Sequence, residues 1–216
     1  MDFETVKVVL FDFDGTIVDS VEAGVAIMNR LAGELGLPAI DAETLDRLKK
    51  AGSREALKQL KIPIFKLPLL IRRFSQELSR EIPNLTLFPE IKEMLFDLKQ
   101  QNCRLGIVST NSAKNIRDFL SMQELNETFD FVSATYSVFG KSRLIRRIIQ
   151  HNRLNPAQVY YVGDETRDIE AARKSCVRSI AVTWGFNSAE ILALHKPDAI
   201  VDRPKDLVTL VKKCNL

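Results

Sequence analysis

Residues 6–13 read VKVVLFDF, and Asp14, Gly15 and Thr16 follow directly. A strand with one solvated face alternates apolar and polar residues. A β-branched run this dense belongs to a strand buried on both faces, as in a parallel sheet. Working outward, CRLGIVS at 103–109, FDFV at 129–132, QVYYVGD at 158–164 and VRSIAVT at 177–183 read the same way. Helical periodicity fills the gaps at about 89–101, 113–122, 141–152 and 165–175, and Pro89 suits the first turn of its helix. Strands alternating with helices of this length predict an α/β fold, a doubly wound, Rossmann-like parallel sheet. Residues 198–201 as a short strand and 204–213 as a helix close it.

One stretch breaks the alternation. From about Ser20 to Arg80 there is helical periodicity and no convincing strand, with punctuation at Gly36–Leu37–Pro38, Ala51–Gly52 and Ile62–Pro63. The expected organisation is a core of residues 1–19 and 81–216 with an all-helical cap subdomain of residues 20–80 inserted after the first strand. There is no internal repeat, low-complexity segment or flexible linker.

Composition narrows the function classes. The chain has 216 residues, 45% hydrophobic and 27% charged, which argues against disorder and fibrous repeats. A formal net charge of +3 is too small to imply a nucleic-acid partner. No run approaches the ~18–20 apolar residues of a membrane span. The first residues carry acids (Asp2, Glu4) and run into a strand, unlike a signal peptide. Cys103, Cys176 and Cys214 are odd in number and widely spaced, giving neither a disulfide framework nor a zinc pattern. A cytoplasmic protein is the expectation.

Four short motifs stand at strand ends or helix starts. Asp12 and Asp14 close the first strand two residues apart, so both carboxylates point to one side of the sheet edge where α/β ligands bind. Such crowding calls for a cation, and hard Mg²⁺ favours oxygen ligands; a solvated acidic turn is the plainer reading. Gly15 lets the backbone turn away sharply. Asp164 ends a second buried strand, with Asp168 one helical turn on; alone this reads as an N-cap. Ser109, Thr110 and Asn111 end the strand at 103–109, offering hydroxyls and helix amides to an oxyanion or simply capping a helix. Lys141 opens a helix, where the dipole disfavours a cation, so it needs an anionic partner or lies in solvent.

In this order and placement, the motifs make the chain resemble the haloacid dehalogenase superfamily, specifically its phosphatases with a helical cap after the first motif. FDFDGT and GDETRDIEAA carry the resemblance, which runs along essentially the whole chain. The stretch from VYYVGDETRDIEAARK to AVTWGFNS is most similar to the phosphoglycolate phosphatase-like branch. The resemblance implies a Mg²⁺-dependent phosphatase hydrolysing a small-molecule phosphate monoester through an aspartyl-phosphate. It makes Asp12 the nucleophile and Asp14 the acid that protonates the leaving oxygen, then the base for the hydrolytic water. For that, Asp14 needs a carboxyl titrating above the usual range of about 3.9. It implies Mg²⁺ held by the carboxylates of Asp12 and Asp164 and the carbonyl of Asp14, with Asp168 orienting a metal-bound water. Ser109 and Lys141 would bind phosphoryl oxygens, with Thr110 and Asn111 alongside.

Three positions depart from the family pattern. Ser142 follows the lysine where proline is frequent, Glu165 stands where Ser or Thr is common, and Cys176 replaces a glycine after the helix at 165–175. Between Asp46 and Arg80, ten Lys or Arg (Arg47, Lys49, Lys50, Arg54, Lys58, Lys61, Lys66, Arg72, Arg73, Arg80) stand against three acids (Asp46, Glu55, Glu77). That suits a solvated face or a positive lid for an anionic substrate. AGSRE at 51–55 resembles the cap loop facing the active site, which nominates Gly52 and Arg54 as substrate contacts. Trp184 reads as packing rather than a base-stacking platform.

The enzymatic alternative is a phosphosugar mutase of the β-phosphoglucomutase type, suggested by SREAL. Outside enzymes, a phosphorylatable receiver-like binding protein also uses an aspartate at a sheet edge, although its nucleophile follows the third strand. Dehalogenation is disfavoured by Asp14, and a catalytically silent protein by the complete motif set. The expected partner is a small phosphate ester, with neither nucleic acid nor membrane, on a monomer or homodimer.

Overall fold

The computed structural model describes residues 7–35, 38–60, 62, 64–137 and 139–213. Asp2, Glu4, Val6, Gly36, Leu37, Lys61, Pro63 and Cys214 lie outside the described residues. The first apolar run forms β1 (Val8–Phe11), whose four residues are all buried. A two-residue strand, β2 (Val18–Asp19), follows. Then come four helices: α1 (Val21–Leu35), α2 (Ala42–Lys49), α3 (Ser53–Gln59) and α4 (Leu67–Glu81). β3 (Thr86–Leu87) returns antiparallel to β2, pairing Val18 with Leu87 and Asp19 with Thr86. The chain thus leaves for its helical stretch and comes back along one small ribbon.

The remainder alternates as the apolar runs require. It contains α5 (Ile91–Gln100), β4 (Arg104–Ser109), α6 (Ala113–Met122), β5 (Phe131–Ala134), α7 (Lys141–His151), β6 (Val159–Gly163) and α8 (Thr166–Lys174). β7 (Arg178–Val182), α9 (Ala189–Leu194), β8 (Ala199–Val201) and α10 (Pro204–Lys213) complete it. The six long strands form one parallel sheet in the order β5-β4-β1-β6-β7-β8. This is the doubly wound α/β arrangement.

Alternation along the strands feeds two apolar layers. Val9, Phe11, Tyr160 and Val162 face the layer built with α5, α6 and α10, where Leu95, Phe119 and Leu207 are fully buried or nearly so. Val8, Leu10, Val159 and Tyr161 face the layer supplied by Ile145 of α7 and Ala172 of α8.

Three boundaries differ from the sequence reading. Pro89 is not in the first turn of α5: the helix begins at Ile91, after Glu90 in a left-handed conformation (φ 64°). The edge strand β5 starts two residues later than FDFV suggests. Asp130 accepts a hydrogen bond from Leu105 N at 2.9 Å instead of joining the strand. β2, β3 and α9 are too short to leave a periodic signal. Among the described residues, no helix is long and apolar enough to cross a membrane.

Candidate active site

The chain runs from β1 to β4 and β5 on one side, then crosses to β6, β7 and β8 on the other. The order reverses between β1 and β6, and ligands of open α/β sheets bind beyond the strand ends at such a reversal. Phe11 pairs with Val162, so the residues just after them, Asp12 and Gly163–Asp164, emerge side by side there. Asp12 N donates to Val162 O at 2.8 Å and ties the two exits together.

Asp12, Asp164 and Asp168 converge, each offering a carboxylate oxygen within 4.8 Å of the others, and all three are buried. Lys141, at the start of α7, is itself 1% exposed and bridges Asp12 Oδ2 and Asp168 Oδ1, the latter at 2.6 Å. Two buried anionic partners explain a cation at a helix N-terminus, and they raise the Lys141 ammonium against a desolvation that lowers it. Asp168 also accepts from Glu165 N at 3.1 Å, closing a capping box at the start of α8. Asp12 Oδ1 accepts from Phe13 N at 2.7 Å. Burial outweighs Lys141 and pushes the Asp12 carboxyl up to about 7, with Asp168 adding repulsion. Asp164 accepts from Thr16 Oγ1 at 2.7 Å and Phe186 N at 2.8 Å. Burial first, then Glu165, Asp12 and Asp168, push its carboxyl well above the usual range.

Glycine makes this crowding sterically feasible. Gly15 has φ 77°, and a Cβ there would lie 2.2 Å from Asp164 Oδ2. Ile17 N and Val18 N both reach back to Phe13 O, so the turn folds tightly over the carboxylates.

Asp14 is held on the outer side of this turn. Ser20 Oγ donates to its Oδ1 at 3.1 Å and Asn111 Nδ2 to its Oδ2 at 3.1 Å. Those bonds favour the carboxylate, yet desolvation is larger and the Asp14 carboxyl is raised. Asn111 is buried, and its Oδ1 accepts from Ser75 Oγ of α4 (3.1 Å), Ser112 N (2.7 Å) and Asn115 Nδ2 (2.9 Å). Ser109, also buried, accepts from Asn111 N at 3.0 Å.

Above the carboxylates lies a cavity of about 300 Å³ between the helices of residues 21–81 and the sheet edge. Asp14, Thr110, Asn111, Asp164, Glu165 and Arg167 line one end; aliphatic and aromatic side chains such as Val25, Leu57 and Phe74 line the rest. Asp12, Ser109 and Lys141 are not part of that lining. Nor are Gly52 and Arg54. Gly52 precedes α3 beside Thr166 and His195, while Ser53 N donates to Thr166 Oγ1 at 2.8 Å. Arg54 pairs with Glu170 at 3.3 Å and stacks over Phe139, with 57% of its side chain exposed. Other cations of the basic stretch also sit in exposed pairs, Lys50 with Asp46 and Arg80 with Glu77. Trp184 donates to Thr16 O at 3.0 Å and packs against the core.

Several residues packed around these carboxylates escaped the sequence reading, among them Tyr161 and Arg167. Tyr161 lies under the Lys141 ammonium and donates to Val108 O at 2.9 Å, contacting Asp168 at 3.4 Å. Arg167 pairs with Glu165 on the first turn of α8. A cation there opposes the helix dipole, which is the signal that could have found it.

Residues 9–182 match the haloacid dehalogenase-like hydrolase family. The chain belongs to that family. It is 37% identical over 205 residues to a phosphoglycolate phosphatase of Synechococcus elongatus, spanning 95% of this chain and 97% of the relative. It is 27% identical to a pyrophosphatase of Oceanobacillus iheyensis, over 96% and 97% of the two chains. A haloacid dehalogenase-like hydrolase from Streptococcus pneumoniae shares the fold with a TM-score of 0.76 at 24% identity, over 95% and 98% of the chains. This haloacid dehalogenase-like hydrolase is therefore an enzyme, and its buried carboxylate cluster lies at the reversal point of its sheet. The donors there are all hard oxygens, and three carboxylates exceed the charge that Lys141 neutralises, which suits a divalent cation.

Proposed function

We propose that the protein is a Mg²⁺-dependent phosphatase that hydrolyses a small phosphate monoester of the phosphoglycolate kind through an aspartyl-phosphate on Asp12. The observation that carries this reading is the paired arrangement of Asp12 and Asp14. One carboxylate is held against Lys141, and the other is raised by burial on the cavity side. Asp12 attacks phosphorus with an oxygen lone pair while the ester P–O bond breaks. Asp14, protonated, gives its proton to the departing alkoxide. Asp14 then accepts a proton from the water that attacks the aspartyl-phosphate, which releases phosphate and restores Asp12. Lys141 holds Asp12 in place and offsets negative charge, and Asn111 keeps Asp14 oriented.

Asp12 and Asp164, with the carbonyl of Asp14, would hold Mg²⁺, and Asp168 would support that set through its ties to Lys141 and Glu165. The bound ion supplies Lewis-acid charge that offsets repulsion between anionic nucleophile and anionic ester. The helices of residues 20–80 act as the cap that closes over the substrate, and Ser109 and Thr110 flank the phosphoryl group.

The test is phosphate release from a panel of esters with Mg²⁺, scored by kcat/KM, with mass spectrometry of quenched enzyme for phosphate on Asp12. No release from any ester, or turnover without phosphate on Asp12 under quench, contradicts the reading.

A further inference from the structure

Arg167 is placed unlike the other cations near the carboxylates. Lys141 is committed to Asp12 and Asp168 outside its lining, and Arg54 lies on the outer flank. Among the described lining residues, Arg167 is the one cation. Its side chain is 15% exposed, and Glu165 takes one of its N–H groups through Nη2. Its Nε, by contrast, is buried and meets no acceptor, the one buried side-chain nitrogen or oxygen among the described residues left so. Buried donors are almost always paired, so this guanidinium keeps hydrogen-bonding capacity that no protein group takes up.

We propose that Arg167 binds a second anionic group of the substrate, carried close to the phosphoryl group, and thereby selects short esters bearing two anionic groups. The inference rests on the phosphatase reading above and names the substrate feature it would recognise. Arg167 precedes Asp168, the partner of Lys141, by one residue and shares the cavity end with Asp14 and Asp164. A second anion there meets a planar guanidinium suited to carboxylate or phosphate. Elsewhere the walls are mostly apolar, and a second charge there would be desolvated without a charged partner. Glu165 occupies Arg167 in the absence of substrate and competes with the incoming anion.

The test compares kcat/KM with Mg²⁺ for 2-phosphoglycolate, pyrophosphate and ethyl phosphate, which lacks the second anion. The wild type is expected to prefer one or both of the compounds that carry a second anionic group over ethyl phosphate. Arg167→Lys keeps the charge but removes Nε and the planar fork, and should cut that preference roughly 10- to 150-fold while ethyl phosphate turnover stays within about threefold. Loss on 2-phosphoglycolate alone assigns a carboxylate, and loss on pyrophosphate alone assigns a phosphate. Because altering a buried cation can unfold a protein, Glu165→Gln provides a second measurement with Arg167 intact. Freed of its competitor, Arg167 should raise the preference severalfold. An unchanged preference in either folded variant, or an equal fall on all three compounds, overturns the proposal. If the wild type releases no phosphate from any of the three, the phosphatase reading fails instead.

Discussion

Asp12 and Cys176 show how single positions carry opposite kinds of burden. Asp12→Asn keeps shape and volume but removes the oxygen proposed as the nucleophile, so turnover is expected to fall by at least about 10³-fold with the fold retained. Positioned proton transfer alone is typically worth 10²–10⁴. Lys141 keeps its partner Asp168 in that variant, and one of the mutually repelling carboxylates is gone. Activity within about tenfold of wild type, on protein with an unchanged circular dichroism spectrum, would remove Asp12 from the mechanism. Cys176 has φ 56°, just beyond α8, where Val177 N closes back on Ala172 O at 3.2 Å. A left-handed non-glycine residue is strained by ~1–2 kcal/mol, whereas glycine's extra unfolded-state entropy is ~0.5–1 kcal/mol. The first term is larger, so Cys176→Gly should stabilise by ~0.5–1 kcal/mol and raise Tm by about 1–4 °C in calorimetry. The glycine missing from the family pattern was legible in the sequence, as were Asp12, Asp14 and Asp164 at strand ends and Lys141 at a helix start. Arg167 and Tyr161 were not, because their roles come from neighbours brought in by other strands.

Secondary-structure elements divide into those that announce themselves and those that do not. β1, β4 and β6 are buried on both faces, so their apolar runs stand out, and α6 and α7 carry apolar stripes that repeat over about three turns. The β2–β3 ribbon has two residues per strand and no period to read. Pro89 fits a first turn by propensity, but Glu90 takes up the left-handed position ahead of α5, a tertiary choice that local preference does not reveal. The AGSRE loop illustrates the same limit. Its Gly52 and Ser53 dock on Thr166, while the following turn of α3 points Arg54 outward to Glu170 and Phe139. Exposed ion pairs are worth little, typically under ~1 kcal/mol. Arg54→Ala is therefore expected to leave kcat/KM within about threefold for 2-phosphoglycolate and p-nitrophenyl phosphate alike. A tenfold loss confined to 2-phosphoglycolate would return Arg54 to the substrate.

For the molecule as a whole, the decisive quantity is negative charge gathered at the point where sheet order reverses. Burial raises the carboxyls of Asp12, to about 7, and of Asp164. A carboxyl whose pKa is raised by folding binds its proton more tightly in the folded state. Its stabilising contribution is present at low pH and is lost as pH rises from the unfolded value near 3.9 through the folded one. The metal-free protein should therefore lose stability on this account from about pH 4 up to at least about pH 7. Mg²⁺ bound at this cluster would work against that loss: at about pH 8 Asp12 is largely ionised, and the ion would relieve the repulsion among the carboxylates. At about pH 5.5 it must first displace protons, so binding weakens. A ligand at 100 times its Kd stabilises by ~2.7 kcal/mol, which corresponds to a Tm increase of about 5–11 °C for a chain of this size. Thermal unfolding at about pH 8 should show a shift of that order, reversed by EDTA, and a clearly smaller one at about pH 5.5. Asp164→Asn should remove most of the shift while leaving the metal-free Tm unchanged or higher, because it deletes one of the repelling charges. Equal shifts at both pH values, or a full shift in Asp164→Asn, would separate metal binding from this cluster and place the ion elsewhere.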